Sequence, residues 1–210
     1  MPSLTTLALF GLATLILTAS PGPGVLYVCA RSLAQGRRAG LASMFGIEAG
    51  EVVWLVAAAT GLAALLSASA AALTFVRFAG AAYLIVLGIQ RWRKTAALVA
   101  PERAPLGMIF GQGFITQLLN PKVAVFFVAL LPQFMNASHP IAPQVAVLGS
   151  VYLAIALLVD TSYVMTAAAI SQRFLKDRIA QKRVGRFAAA TYVGLGLAAA
   201  ASGLKPAAPH

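Results

Sequence analysis

Six mostly apolar stretches, roughly 4–28, 39–66, 73–90, 108–134, 143–170 and 187–204, occupy most of the chain and leave only short connections between them. A helix needs about 20 such residues to cross the hydrocarbon core of a bilayer. The chain therefore reads as an all-α integral membrane protein, a bundle of six transmembrane helices. Only 10% of its residues are charged, against roughly a quarter in soluble domains. The first stretch is read as a span and not as a signal peptide. Met1-Pro2-Ser3 carries no basic residue, the apolar run continues to Cys29, and similar runs follow it.

The formal net charge of +11 raises the question of a polyanionic partner, and the placement of the basic residues answers it. Arg31, Arg37 and Arg38 follow the first span, Arg91, Arg93, Lys94 and Arg103 the third, and Arg173, Lys176, Arg178, Lys182, Arg183 and Arg186 the fifth. These are thirteen of the sixteen, whereas the connections around 67–72 and 135–143 hold no Lys or Arg. Under the positive-inside rule the odd-numbered loops face the cytoplasm and both termini lie outside it, as for a multi-pass protein of a bacterial inner membrane. The charge is then explained by topology and by attraction to anionic membrane lipid, with no nucleic-acid partner. Arg77 is expected at the outer end of the third span, and 205–210 as a short polar tail. Cys29 is the single cysteine, which permits neither an internal disulfide nor a dithiol, and it reads as a packing residue.

Laying the first half over the second at an offset of 100 brings Phe10-Gly11 onto Phe110-Gly111 and Ser20-Pro21 onto Asn120-Pro121. At an offset of 109, Phe78-Ala79 and Tyr83 fall on Phe187-Ala188 and Tyr192. With three spans per half, the second half enters the membrane from the opposite side. The expected plan is one domain over 1–210 made of two inverted repeats, about 4–95 and 104–204.

Proline removes a backbone donor and clashes with the preceding turn, so Pro21-Gly22-Pro23-Gly24 should interrupt the first span and Asn120-Pro121-Lys122 the fourth. Freed backbone groups are tolerated only inside protein or beside water, and paired interruptions in two halves point to a transport site. Four ionisable residues lie well inside spans: Glu48 and Glu51 in the second, Lys122 in the fourth and Asp160 in the fifth. A central charge costs about 2.5–3.5 kcal/mol to insert, so each is a candidate for a pathway. Glu48 and Glu51 are three apart and share a helix face. Like charges so close disfavour double ionisation and suit one acid to carrying a proton. Lys122 lies about 14 residues into its span, roughly 21 Å of rise, and is expected to pair with an acid. Gly36, Gly40, Gly46, Gly50, Gly107, Gly111 and Gly113 are expected to let helices approach closely. Gln112, Thr116 and Gln117 offer polar groups to an interior face.

In their order and spacing these segments resemble the lysine exporter (LysE/RhtB) family of bacterial amino-acid efflux proteins. The resemblance is carried by Ser20-Pro21-Gly22-Pro23-Gly24, by Gly36-Arg37-Arg38-Ala39-Gly40-Leu41 leading to Gly46, by Tyr83-Leu84 with Gly88, and by Gly113-Phe114, Asn120-Pro121-Lys122 and Pro132-Gln133-Phe134. It covers essentially the whole chain. It implies export of amino acids or close derivatives, driven by the proton gradient, through a compact bundle with broken segments around the two proline motifs. Neutral substrates such as threonine, homoserine, its lactone or leucine are preferred, with lysine and arginine left open. The substrate carboxylate is expected at Lys122 and backbone donors near a half-helix start, where Asn120 could add amide hydrogen bonds. Asp160 or the Glu48/Glu51 pair would receive the ammonium group or a proton.

An enzyme is the first competing class. The only histidines are His139, in an outer loop, and His210, at the end of the sequence, and neither forms a dyad with a serine on a helix. A thiol redox conduit needs a second cysteine. Efflux of a metal cation on the buried acids is the alternative transport reading, although the spans lack histidine and offer one cysteine. A purely structural protein has no use for acids and a lysine at the midplane. No cofactor is expected, and a homodimer is plausible on general grounds.

Overall fold

The computed structural model describes residues 2–68, 101–136 and 138–169, with individual positions within 74–90 and 179–201. Most of the expected third and sixth spans lie outside the described residues. So do Arg77, Arg91, Arg93, Lys94, Arg173, Lys176, Arg178, Lys182, Phe187, Ala188, Tyr192 and His210.

The described elements are α1 (Leu4–Ala19), α2 (Pro23–Gln35), α3 (Arg37–Ala68), α4 (Leu106–Leu118), α5 (Pro121–Val125) and α6 (Ile141–Ala169). After α5 the chain continues through a π turn at Phe126–Leu130 and a 3-10 turn at Leu131–Phe134. No strand occurs among the described residues. The Ser3 side chain caps α1 by accepting from the Thr6 N–H at 3.1 Å. Pro23 and Pro121 stand at helix starts, where a missing N–H costs nothing and the fixed φ suits the first turn. Gly36, at φ 79°, separates α2 from α3 in a conformation that favours glycine.

Between α1 and α2 the axis bends by 51°, and between α4 and the Pro121–Phe134 segment by 45°. α3 over Arg37–Gly61 and α6 are each long and apolar enough to cross a membrane alone. Counting each bent pair as one span brings the total among the described residues to four. Leu9, Leu12, Val52, Val56 and Leu158 are exposed while Thr18, Glu51, Asn120, Lys122 and Asp160 are buried. That distribution puts apolar groups where lipid would lie and polar groups inside.

α3 packs closely on α4. A Cβ on Gly46 would fall on the Phe110 carbonyl, and one on Gly113 would meet the Ser43 carbonyl at 2.6 Å. Backbone cannot move aside as a flexible side chain can, so these positions need glycine. Gly50 lies against Gln117, and Gly40 against Ser32 and Val164. Gly107 and Gly111, expected to serve the same purpose, meet no group within 4 Å of the Cβ position among the described residues. Beneath this layer Phe10, Phe126, Phe127 and Tyr152 form an aromatic core, with the Tyr152 ring 5.0 Å from Phe126 and 4.8 Å from Phe127.

Arg31 departs from its expected place in a loop. α2 runs on to Gln35, which leaves Arg31 within the helix and 5% exposed. Its guanidinium donates to the Glu102 carbonyl at 2.7 Å, to Gln112 Oε1 at 2.6 Å and to Gln35 Oε1 at 3.0 Å. Gln35 in turn binds both the N–H and the carbonyl of Ala104. The pairing clips the strand of chain entering α4 onto α2, and it explains a buried cation that topology alone would place in water.

Candidate functional site

Both bends open onto one small cavity of about 20 Å³. Thr18 comes to its wall from the end of α1 and Gly24 and Val25 from the start of α2. Ile47 and Glu51 come from α3, Gln117 and Asn120 from the end of α4, Lys122 from α5, and Tyr152 and Asp160 from α6. That volume holds about one water molecule and is too small for an amino acid. Gly24 leaves room for the side-chain ends at this wall, where a Cβ would meet Gln117 Oε1 at 2.9 Å and Ile47 Cδ1 at 3.3 Å.

Lys122 does not form the expected pair with an acid. Its Nζ donates to the carbonyls of Leu17 and Ser20, each at 3.0 Å. The physical reason is the break itself. At the end of α1 the Leu17 carbonyl accepts from the Ser20 N–H at 3.1 Å and the Ser20 carbonyl has no backbone donor among the described residues, so a cation there adds a donor to both and complements the dipole. Tyr163 meets a third such carbonyl, that of Ala19, at 2.7 Å.

The second break is closed by amides. Asn120 Oδ1 accepts from the Lys122 N–H at 3.1 Å, which caps α5, and Asn120 Nδ2 donates to Gln117 Oε1 at 2.9 Å. Gln117 Nε2 donates to Glu51 Oε1 at 2.5 Å, and the Tyr152 hydroxyl donates to the same oxygen at 3.0 Å. Glu51 is 3% exposed, and its Oε2 is enclosed without a hydrogen-bond partner. Asp160 is likewise buried at the wall, and no hydrogen bond to it arises from the described residues.

Of the residues singled out in the sequence, Gly24, Asn120, Lys122, Glu51 and Asp160 meet at this cavity. Pro21, Gly22, Pro23 and Pro121 shape the breaks and do not line it, and half-buried Glu48 does not line it either, its Oε1 enclosed without a hydrogen-bond partner. Gln117 takes the interior position expected of it, whereas Gln112 bonds Arg31 and Tyr27, and Thr116 turns its hydroxyl to the Gln112 carbonyl. Thr18, Val25, Ile47 and Tyr152 were not foreseen. Tyr152 had one available signal: it lies two helical turns before Asp160 and so shares its face. Among the described residues no cluster of three or more His, Cys, Asp or Glu side chains is placed to hold a metal ion.

Residues 15–203 match the family described as LysE type translocator. The chain belongs to that family. Membership makes the translocator a membrane transporter and not an enzyme. It is 34% identical to a homoserine/homoserine lactone efflux protein of Salmonella typhimurium, over 76% of this chain and 79% of that one. It is 31% identical to an uncharacterized membrane protein of Vibrio cholerae, over 89% of this chain and 92% of the relative. A leucine efflux protein of Salmonella typhimurium shares 32% identity over 57% of this chain and 58% of its own. No solved structure matches the translocator.

Proposed function

We propose that this translocator exports neutral amino acids or close derivatives, homoserine, its lactone, threonine and leucine before lysine or arginine, in exchange for protons. The observation that carries the reading is the joining of one lysine and two incompletely paired acids at a small cavity between two broken helices. An α-amino acid presents an anion and a cation a few ångströms apart, and a lactone keeps the cation with an ester carbonyl oxygen in the anion's place. Lys122 suits the carboxylate, together with the start of α2, whose cap residue Gly22 offers no side chain to its first N–H groups. Asp160 or Glu51 suits the ammonium group. The relatives named for homoserine and leucine efflux support the substrate class.

Binding has a structural consequence in this reading. A substrate carboxylate that takes the Lys122 ammonium removes it from the Leu17 and Ser20 carbonyls, so the α1–α2 break loosens as the site fills. The ligand then makes different contacts in two states, which is the requirement for shifting a conformational equilibrium. The wider arrangement proposed with it is the single domain of six spans in inverted repeats, odd-numbered loops in the cytoplasm and both termini outside.

The test is efflux from cells loaded with dipeptides of single amino acids, comparing the unaltered protein with Lys122→Ala at equal levels in the membrane. Faster release of homoserine, threonine or leucine by the unaltered protein alone is expected. Release of no amino acid by correctly inserted protein would overturn the reading and favour cations or other solutes.

A further inference from the structure

We infer that Glu51 carries the exchanged proton on its Oε2, and that Tyr152 and Gln117 are positioning residues which hold the carboxyl group for that purpose. The inference rests on the amino-acid antiport reading above and divides the work between its two acids.

The orientation of the polar chain fixes which oxygen is available. The Lys122 backbone N–H can only donate, so the side-chain atom of Asn120 it meets at 3.1 Å is the carbonyl oxygen. The Asn120 amide nitrogen therefore faces Gln117 Oε1, and the Gln117 nitrogen faces Glu51 Oε1. An amide nitrogen accepts nothing, and Tyr152 adds a second donor to the same atom. Oε1 of Glu51 is thus a pure acceptor with both lone pairs engaged. Any proton on this carboxyl group sits on Oε2, which is enclosed and has no hydrogen-bond partner. A charge left on an enclosed oxygen without a donor is costly, and a proton there removes it.

Asp160 differs in the respect that matters. It forms part of the cavity wall with no donor from the described residues, so an occupant's ammonium group has access to it. The groups around Glu51 are Glu48 one turn earlier on α3, Tyr152 and Asp160 on α6, Lys122 on α5, and the Gln117 and Asn120 amides at the second break. Lys122 is the one cation among these and is engaged at the first break. An ammonium group arriving at Asp160 adds positive charge beside Glu51 and favours loss of the Oε2 proton to cytoplasmic water. After the amino acid leaves on the outer side, Oε2 takes a proton from outer water. One zwitterion moves out, one proton moves in, and no bond to the substrate is made or broken.

The experiment uses the full-length protein in proteoliposomes loaded with L-homoserine, with L-leucine as a second probe. Two rates are compared: homoserine-for-homoserine exchange without a pH gradient, and net movement driven by an imposed one. Tyr152→Phe removes one donor while keeping the ring packed on Phe126 and Phe127, and Gln117→Met removes the other at nearly constant volume. Each is expected to lower gradient-driven movement about tenfold and exchange by less than about threefold, the scale of one lost hydrogen bond to the proton-carrying group. Glu51→Gln is expected to abolish the driven rate. Equal loss of both rates in Tyr152→Phe and Gln117→Met, or no change in either, would overturn the assignment. If the unaltered protein exchanges neither amino acid, the amino-acid reading itself fails and the proton assignment falls with it.

Discussion

The two helix breaks occupy matching places in the sequence yet are held together by different chemistry. At the first, Ser20 Oγ is fully buried without a partner, and α2 begins without a side-chain cap. The Leu17 carbonyl accepts from the Ser20 N–H at 3.1 Å, and the carbonyls of Leu17, Ala19 and Ser20 are met by groups from far along the chain, the Lys122 ammonium and the Tyr163 hydroxyl. At the second, Asn120 caps the new helix locally, and the Gln117 carbonyl accepts from the Asn120 N–H at 3.1 Å and from Trp54 Nε1 at 3.3 Å. A charged group takes part in closing the first break, and neutral groups alone close the second. The comparison teaches that the second break acts as scaffold, whereas the first depends on a cation that a substrate can recruit.

Lys122→Met should have the largest effect. It leaves the Ser20 carbonyl without its donor and removes the proposed carboxylate partner, so efflux should fall to background in dipeptide-loaded cells. Stability should drop by about 1–3 kcal/mol in thermal unfolding of the detergent-solubilised protein, as for a buried acceptor left unpaired. Asp160→Asn separates chemistry from architecture, because neither break is tied to it. Substrate-dependent efflux should be lost while the melting temperature stays within a few degrees of the unaltered protein. Asn120→Ala probes the scaffold and should cost about 1 kcal/mol, the usual worth of an N-cap, with a several-fold slower efflux. Ser20→Ala should change least, within about 0.5 kcal/mol, since its hydroxyl makes no hydrogen bond to lose. A Ser20→Ala effect as large as that of Asn120→Ala would remove the asymmetry between the breaks.

Much of this could be read from residue order because lipid imposes simple rules. Long apolar runs require helices, and Pro21 and Pro121 sit where the axis turns by 51° and 45°. Buried charge in such a chain draws attention to Glu51, Lys122 and Asp160, which do line one cavity. The partners of those charges were less legible. A lysine in a span suggests an acid, but its actual partners are backbone carbonyls, which every residue carries and which become free only where a helix ends. Arg31 looked like a loop residue because the apolar run stops before it, whereas the helix continues and buries it against Gln112 and the Glu102 carbonyl. Tyr152 gave little sign of itself, since a tyrosine in a span serves equally as packing, and only its contact with Glu51 Oε1 separates it from the others. Gly107 and Gly111 follow the spacing of close-packed helices, yet no neighbouring helix faces them among the described residues.

The most direct measurement is hydrogen exchange at the two breaks in Lys122→Met against the unaltered protein, without added substrate. If the Lys122 ammonium is what holds the first break, exchange should quicken over residues 17–26 and stay unchanged over 117–124, where the Asn120 cap to the backbone N–H survives the substitution. Unchanged protection over 17–26, or an equal loss at both breaks, would contradict the proposed role of Lys122 as the bridge between them.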